Sequence, residues 1–372
     1  MHHPPRFKRL VVKLGTSVLT GGTSRLSPRR MLELARQVAA LCESGCEVIV
    51  VSSGAMAAGR EHLQNPDLGP NIPAKQMLAA VGQPRLMYAY SDIFALFEKH
   101  VAQVLLTSSD FRDRKRYLNA RDTLEALLEQ GVIPIVNEND TTATQEIRLG
   151  DNDSLSALVA NLIDADLLAL LTDQPGLFSS DPRADPDARL INRVEQIDET
   201  LWEIAGGAGS ALGTGGMTTK LQAAQLATRA GTTVVIAAGA RPDVLLELVG
   251  ERGETIGTWF RPVGTHLESR KRWIISEAPQ GALTVDAGAA RSLQSGGASL
   301  LPVGLAEVAG DFDRGVIVRM LAPDGAEIGR GLVKYGAADL RRIAGCHSAE
   351  IESRLGYTYG DEVIHRDDLV LV

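Results

Sequence analysis

Residues that could do chemistry gather where short apolar runs give out. Lys13 lies within Arg9–Leu14, which leads into Gly15-Thr16-Ser17. Glu47–Ser52 ends in Ser52-Ser53-Gly54-Ala55, Val132–Val136 runs into Asn137-Glu138-Asn139-Asp140, and Asp166–Thr172 closes on Thr172-Asp173. Ligands of an open parallel sheet bind beyond the carboxyl ends of its strands, so four such junctions predict a site along one sheet edge. One junction alone would carry no signal, because every strand ends in something polar. The segment Lys13-Leu14-Gly15-Thr16-Ser17 supplies a lysine and backbone N–H groups just past a strand. Gly213-Thr214-Gly215-Gly216-Met217-Thr218-Thr219-Lys220 supplies a second lysine at the opening of a helix. Glycine lets backbone approach an anion and a helix N-terminus adds positive potential, so the two segments together predict phosphate binding. Neither is a Walker A loop or a G-x-G-x-x-G fingerprint.

Gly150-Asp151-Asn152-Asp153-Ser154 is a third constellation. Asp and Asn are favoured helix N-caps, but a cap accounts for only one of these three polar groups. Two carboxylates and an amide at a rim suit a Mg–phosphate, a substrate ammonium or the orientation of a lysine. A carboxylate nucleophile would need no strong general base, since such a group (pKa ~4.3) is ionised at neutral pH. Its difficulty is approaching a polyphosphate of the same sign. Lysines and Mg answer that need with little acid–base machinery.

The elements that must hold these residues alternate. Arg9–Leu14, Glu47–Ser52, Val101–Thr107, Val132–Val136, Asp166–Thr172 and Thr232–Ala237 read as buried strands. Pro28–Glu43, Pro84–Lys99, Asn119–Gln130, Asp153–Ile163 and Thr218–Ala230 carry helical spacing, and Gly45, Gly131 and Gly231 stand where helices should end. The alternation predicts a mostly parallel sheet covered on both faces. From Gly281 onward short β-like runs (ALTV, GVIVRML, EIGRGLV, VIH) are divided by Gly and Asp turns. The expected organisation is a domain over 1–262, a linker over 263–280 and a small, mostly β domain over 281–372.

Composition sets bounds. The chain has 372 residues, 46 acidic and 38 basic, for a formal charge of −8. That balance argues against a protein devoted to coating nucleic acid or anionic membrane. No apolar run approaches a membrane span, and no charged-then-apolar stretch stands at the start, so secretion is not expected. Cys42, Cys46 and Cys346 include no C-x-x-C pair, and the seven histidines show no zinc spacing. A reduced, cytoplasmic α/β protein is expected.

K-L-G-T-S-V-L-T-G-G at Lys13–Gly22, V-S-S-G-A-M-A-A-G-R-E at Val51–Glu61, N-E-N-D at Asn137–Asp140 and G-D-N-D at Gly150–Asp153 resemble the glutamate kinases of the amino acid kinase superfamily. So do L-T-D-Q-P-G-L-F-S-S-D-P-R at Leu171–Arg183 and G-T-G-G-M-T-T-K at Gly213–Lys220. The likeness spans nearly the whole chain in order. It implies a three-layer αβα sandwich around a mostly parallel sheet, plus a small mostly-β barrel. It also implies ATP-dependent phosphorylation of the γ-carboxylate of L-glutamate, with Mg, the first step of proline biosynthesis.

Carried over by resemblance, Lys13 and Lys220 neutralise the transferring phosphoryl group, and Asp153 organises them, with Asp151 beside it. Ser53, Asp140, Asn152 and Asp151 would bind glutamate. Lys13, Thr172, Asp173, Thr214, Gly215, Gly216, Met217, Thr218, Thr219 and Lys220 would bind ATP. Proline as feedback inhibitor and a homo-oligomer are implied as well. The residues themselves do not put glutamate ahead of another amino acid. A different small-carboxylate kinase, or an RNA-binding regulator with a sensing kinase-like domain, are the alternatives. Gly281–Tyr359 resembles a PUA domain, a fold often found in RNA-modifying enzymes. From residue 278 on there are 13 acidic against 9 basic residues, whereas an RNA footprint needs a basic patch. A structural or regulatory appendage is therefore expected there.

Overall fold

The apolar runs of the first two-thirds become neighbouring strands of one sheet. A computed structural model describes residues 5–69, 71–142, 152–207 and 216–372. The strands are β1 (Arg9–Leu14), β2 (Glu47–Ser52), β3 (Val101–Leu106), β4 (Ile133–Glu138), β5 (Leu167–Thr172), β6 (Arg193–Val194), β7 (Thr233–Ala238) and β8 (Thr258–Phe260). They form an 8-stranded sheet in the order β3-β4-β2-β1-β5-β7-β8-β6. The only antiparallel neighbours among them are β7 and β8. β1, β2, β4, β5 and β7 are almost wholly buried, which is why they read as continuous apolar runs rather than alternating ones.

Strand alternation assigns the two faces. Leu10, Val12 and Leu14 of β1 join Val48 and Val50 of β2 in a core with Met31, Leu34 and Val38 of the helix Pro28–Glu43. Val11 and Lys13 therefore turn to the other face, and Lys13 meets the first residue of the helix Asp153–Leu162 there. The helices end as the glycines require. Gly45, Gly131 and Gly231 all have positive φ, a conformation nearly free of cost for glycine alone.

The helix expected to begin at Pro84 begins earlier. It runs over Ile72–Ala95, capped by Asn71, with Pro84 inside it. Proline removes one N–H and frees the carbonyl four residues back. Pro84 and Ala80 both lie exposed, so water can satisfy that carbonyl. The early start is fixed by packing against the helix Ala55–His62. A Cβ on Gly82 would lie 1.7 Å from the Ala55 carbonyl oxygen, and one on Gly59 would lie 1.9 Å from that of Leu78. Backbone touches backbone at this crossing.

A second compact unit comprises Thr265–Val372 together with Arg112–Asn119. Its 5-stranded sheet has the order β10-β9-β11-β12-β13, formed by β9 (Gly281–Val285), β10 (Leu305–Ala309), β11 (Ile317–Leu321), β12 (Glu327–Leu332) and β13 (Leu369–Leu371). All its pairings are antiparallel except β9 with β11. Residues 263–280 carry a helix, His266–Ser276, closed by a capping box between Thr265 and Glu268. Its Ile274 packs on Ile317 and Leu332. The VIH run makes only an isolated bridge, Ile364 to Leu300, while the strands Leu305–Ala309 and Leu369–Leu371 fall outside the expected runs. Val363 and Ile364 are fully buried, so their apolar signal reports core packing rather than a ladder. Gly82→Ala should force the two N-terminal helices apart, an overpacking cost of ~3 kcal/mol or more. Circular dichroism should show the first thermal transition falling by several degrees.

Candidate active site

The carboxyl ends of β1, β2, β4 and β5 bring three of the sequence constellations together. At the centre is Asp153, the first residue of the helix Asp153–Leu162 and wholly buried. Lys13 Nζ lies 2.6 Å from its Oδ1 and Lys220 Nζ lies 3.1 Å from its Oδ2. Thr219 Oγ1 donates to the same Oδ2 at 2.9 Å and also to the Gly216 carbonyl at 2.8 Å. Both lysines are themselves buried. Two buried ammonium groups thus share one buried carboxylate, which brings their donors together at a single point of the sheet edge.

Asn152, the preceding residue, points elsewhere. Its Nδ2 donates to the Ser52 carbonyl and to Asn137 Oδ1, both at 2.8 Å, with Ser53 Oγ at 3.3 Å. Asn152 lines a cavity of about 130 Å³ with Thr16, Ser53, Gly54, Asn137 and Asp140 among its walls. A cavity of ~150 Å³ holds a benzene-sized molecule, so this one suits a small metabolite and not a nucleotide. Asp140 sits at its rim, half-buried, and loss of hydration pushes its carboxyl up to about 6. Such a group gains from a cationic partner.

The two regions adjoin. Thr16 lines the cavity, and a Cβ on the neighbouring Gly15 would lie 3.7 Å from Lys13 Nζ and 3.8 Å from the Leu171 carbonyl. Thr172 and Asp173 continue from Leu171 at the end of β5, with Thr172 Oγ1 donating to Asp173 at 2.9 Å. Gly216 caps the helix Met217–Ala230, whose first turn carries Met217, Thr218, Thr219 and Lys220. Asp151, Thr214 and Gly215 lie outside the described residues.

Asn137 was not singled out from the sequence, yet it ties Asn152 to the helix Ile72–Ala95, with its Nδ2 donating to Gln83 Oε1 at 2.8 Å. Alternation along β4 puts it on the face of Ile133 and Ile135, toward that helix. Four polar residues in a row gave no means of choosing it. Gln83 carried no signal, being one polar residue in a helix expected to start beside it.

These features are those of a small-molecule phosphotransferase. Residues 8–238 match the model of the amino acid kinase family and residues 281–355 that of the PUA domain. The chain belongs to the amino acid kinase family. It is 57% identical over 364 residues, 98% of this chain and 100% of the relative, to a glutamate 5-kinase of Deinococcus radiodurans. A glutamate 5-kinase of Herpetosiphon aurantiacus is 57% identical over 97% of this chain and 98% of its own length. One of Sodalis glossinidius is 55% identical, with the same coverage.

Asp153→Asn would leave two buried ammonium groups facing an amide. Breaking a buried ionic cluster by removing one partner costs ~3–5 kcal/mol. Denaturant unfolding of the variant should show a loss in that range; a loss below ~1 kcal/mol would mean that the lysines are solvated.

Proposed function

We propose that this chain transfers the γ-phosphoryl group of ATP to the γ-carboxylate of L-glutamate, giving L-glutamyl 5-phosphate and ADP. The observation that carries the reading is the placement of consecutive residues. Asp153 gathers Lys13 and Lys220, while Asn152 lines a metabolite-sized cavity with Asp140. A phosphate-attracting centre thus adjoins a cavity with a carboxylate for an amino acid's ammonium. In this reading a γ-carboxylate oxygen attacks the γ-phosphorus as the bond to ADP breaks, and no proton moves. Lys13 and Lys220 meet charge on the phosphoryl oxygens, and Asp153 holds the two ammonium groups in register.

Thr172, Asp173 and the segment 214–220 take the nucleotide. Mg²⁺ is expected with ATP, where it would offset charge on the phosphates, and such an ion commonly takes one or two protein carboxylates as well. Ser53, Asp140 and Asn152 hold the amino acid, with Asp151 assigned to them by resemblance. Proline keeps the α-carboxylate and the cationic amine but lacks the attacking group, which suits a competitive inhibitor of proline's own synthesis. Homo-oligomerisation and a cytoplasmic setting belong to the same reading. Among the described residues no helix is long and apolar enough to cross a membrane.

Lys13→Ala or Lys220→Ala should lower kcat by ~10²–10³, the usual cost of one preorganised charge-stabilising group, with a smaller change in the glutamate KM. A hydroxamate assay measures both. The pH profile tests Asp140. Its carboxyl, raised to about 6 by burial, must be ionised to meet an ammonium. The glutamate KM should be flat above pH 7 and climb toward about tenfold per unit as pH falls below 6. Asp140→Asn should raise KM and remove that climb, while the ATP KM stays near wild type.

A further inference from the structure

A line of hydrogen-bonded amides runs from the cavity wall to the outermost strand of the first sheet. Asn152 Nδ2 donates to Asn137 Oδ1 at 2.8 Å, Asn137 Nδ2 donates to Gln83 Oε1 at 2.8 Å, and Gln83 Nε2 donates to Gln103 Oε1 at 3.1 Å. Asn152, Asn137 and Gln83 are buried, and Gln103 lies exposed on β3. An amide chain can in principle run in either direction, because its oxygen and nitrogen are alike in shape.

Two backbone groups remove that freedom. The Glu138 N–H, which can only donate, meets Asn137 Oδ1 at 2.9 Å. The Ser52 carbonyl, which can only accept, meets Asn152 Nδ2 at 2.8 Å. Asn137 must therefore turn its oxygen to Asn152 and its nitrogen to Gln83, and Gln83 must accept there and donate to Gln103. Both amide protons of Asn152 are engaged, by Ser52 and Asn137. Only its carbonyl oxygen retains capacity for a ligand, and Asp140 on the same cavity adds a carboxylate. This wall offers acceptors, which suit an ammonium and reject a group without N–H.

Resting on the proposed glutamate-kinase reading, we infer that Gln83 is a positioning residue that sets selectivity for the amino group of the substrate, acting through Asn137 and Asn152. With an apolar side chain at position 83, the buried Asn137 N–H loses its acceptor. Turning that amide toward the cavity restores a partner but withdraws its oxygen from Asn152. A proton of Asn152 then competes for the space that the ammonium occupies.

The test compares L-glutamate with glutarate, which has the same two carboxylates and no amine, using the full chain and the hydroxamate assay. Wild-type turnover of glutamate checks the underlying reading independently, and its absence overturns both. Gln83→Leu should cut the preference for glutamate over glutarate in kcat/KM by about tenfold, mainly through the glutamate KM, with the ATP KM unchanged. Gln83→Glu still accepts from Asn137, and the exposed Gln103 amide can turn to donate to it; its preference should stay near wild type. Gln103→Lys, at an exposed position where folding is not at stake, sets a donor against the Gln83 donor and should lower the preference without lowering the melting temperature. The inference is overturned if Gln83→Leu and Gln103→Lys both keep the wild-type preference, or if glutamate and glutarate turnover fall in parallel.

Discussion

Everything at this sheet edge is organised by a carboxylate that has no water. Asp153 is fully buried between two lysines that are nearly so. Taking an ion out of water costs several kcal/mol even after relaxation, and the attraction between partners offsets this only in good geometry. The elements are therefore constrained together. β1 must end where Lys13 can reach, the helix Met217–Ala230 must start with Lys220 inward, and the helix Asp153–Leu162 must begin between them. In the proposed reading, the two ammonium groups so gathered are the ones that meet the phosphoryl group.

One residue separates that centre from a site of opposite character. Asp153 draws in cations, and Asn152 has spent its two donors on Ser52 and Asn137, so it faces the cavity as an acceptor. Asp140, whose carboxyl is raised to about 6 by lost hydration, belongs to the same acceptor wall. In the proposed reading an amino acid meets one side of the edge with its ammonium and the lysines on the other with its far carboxylate. A helix N-terminus makes this division possible, since consecutive residues there leave the axis in different directions.

The C-terminal unit has a core of its own, with Leu283, Val318, Met320, Tyr335, Leu340 and Ile364 buried together. The capped helix His266–Ser276 adds Ile274 to that sheet, and Leu118 of Arg112–Asn119 closes over Gly315, where a Cβ would lie 2.3 Å from Leu118 Cδ1. These contacts make the unit more than the segment that follows residue 281. Among its exposed aromatics, Tyr359 lies under the Arg314 guanidinium and Tyr357 donates to Asp339. Those cationic and aromatic groups are engaged within the unit, in keeping with its acidic balance.

Periodicity and punctuation were legible because they are local. Five of the six expected buried strands, the glycine-ended helices and the polar residues just beyond the strands follow from burial on both faces and from backbone conformations available to glycine. The sixth, β3, forms as a strand but lies at the sheet edge, where only Leu106 is buried. Lys13, Asp153 and Lys220 could be marked as chemical residues for the same reason: each stands at a strand end or a helix start. What local rules could not supply was the direction in which side chains meet across the sheet. Asn137 became the hub of the cavity wall only because β4 turns its odd residues toward the helix Ile72–Ala95. That helix starts well before Pro84 because Gly59 and Gly82 let two backbones touch. The polarity of the amide line was likewise decided by Ser52 and Glu138, whose backbone groups lie far along the chain from Gln83 and Gln103. Such contacts depend on register and packing between distant segments, which a single sequence does not encode in any local pattern.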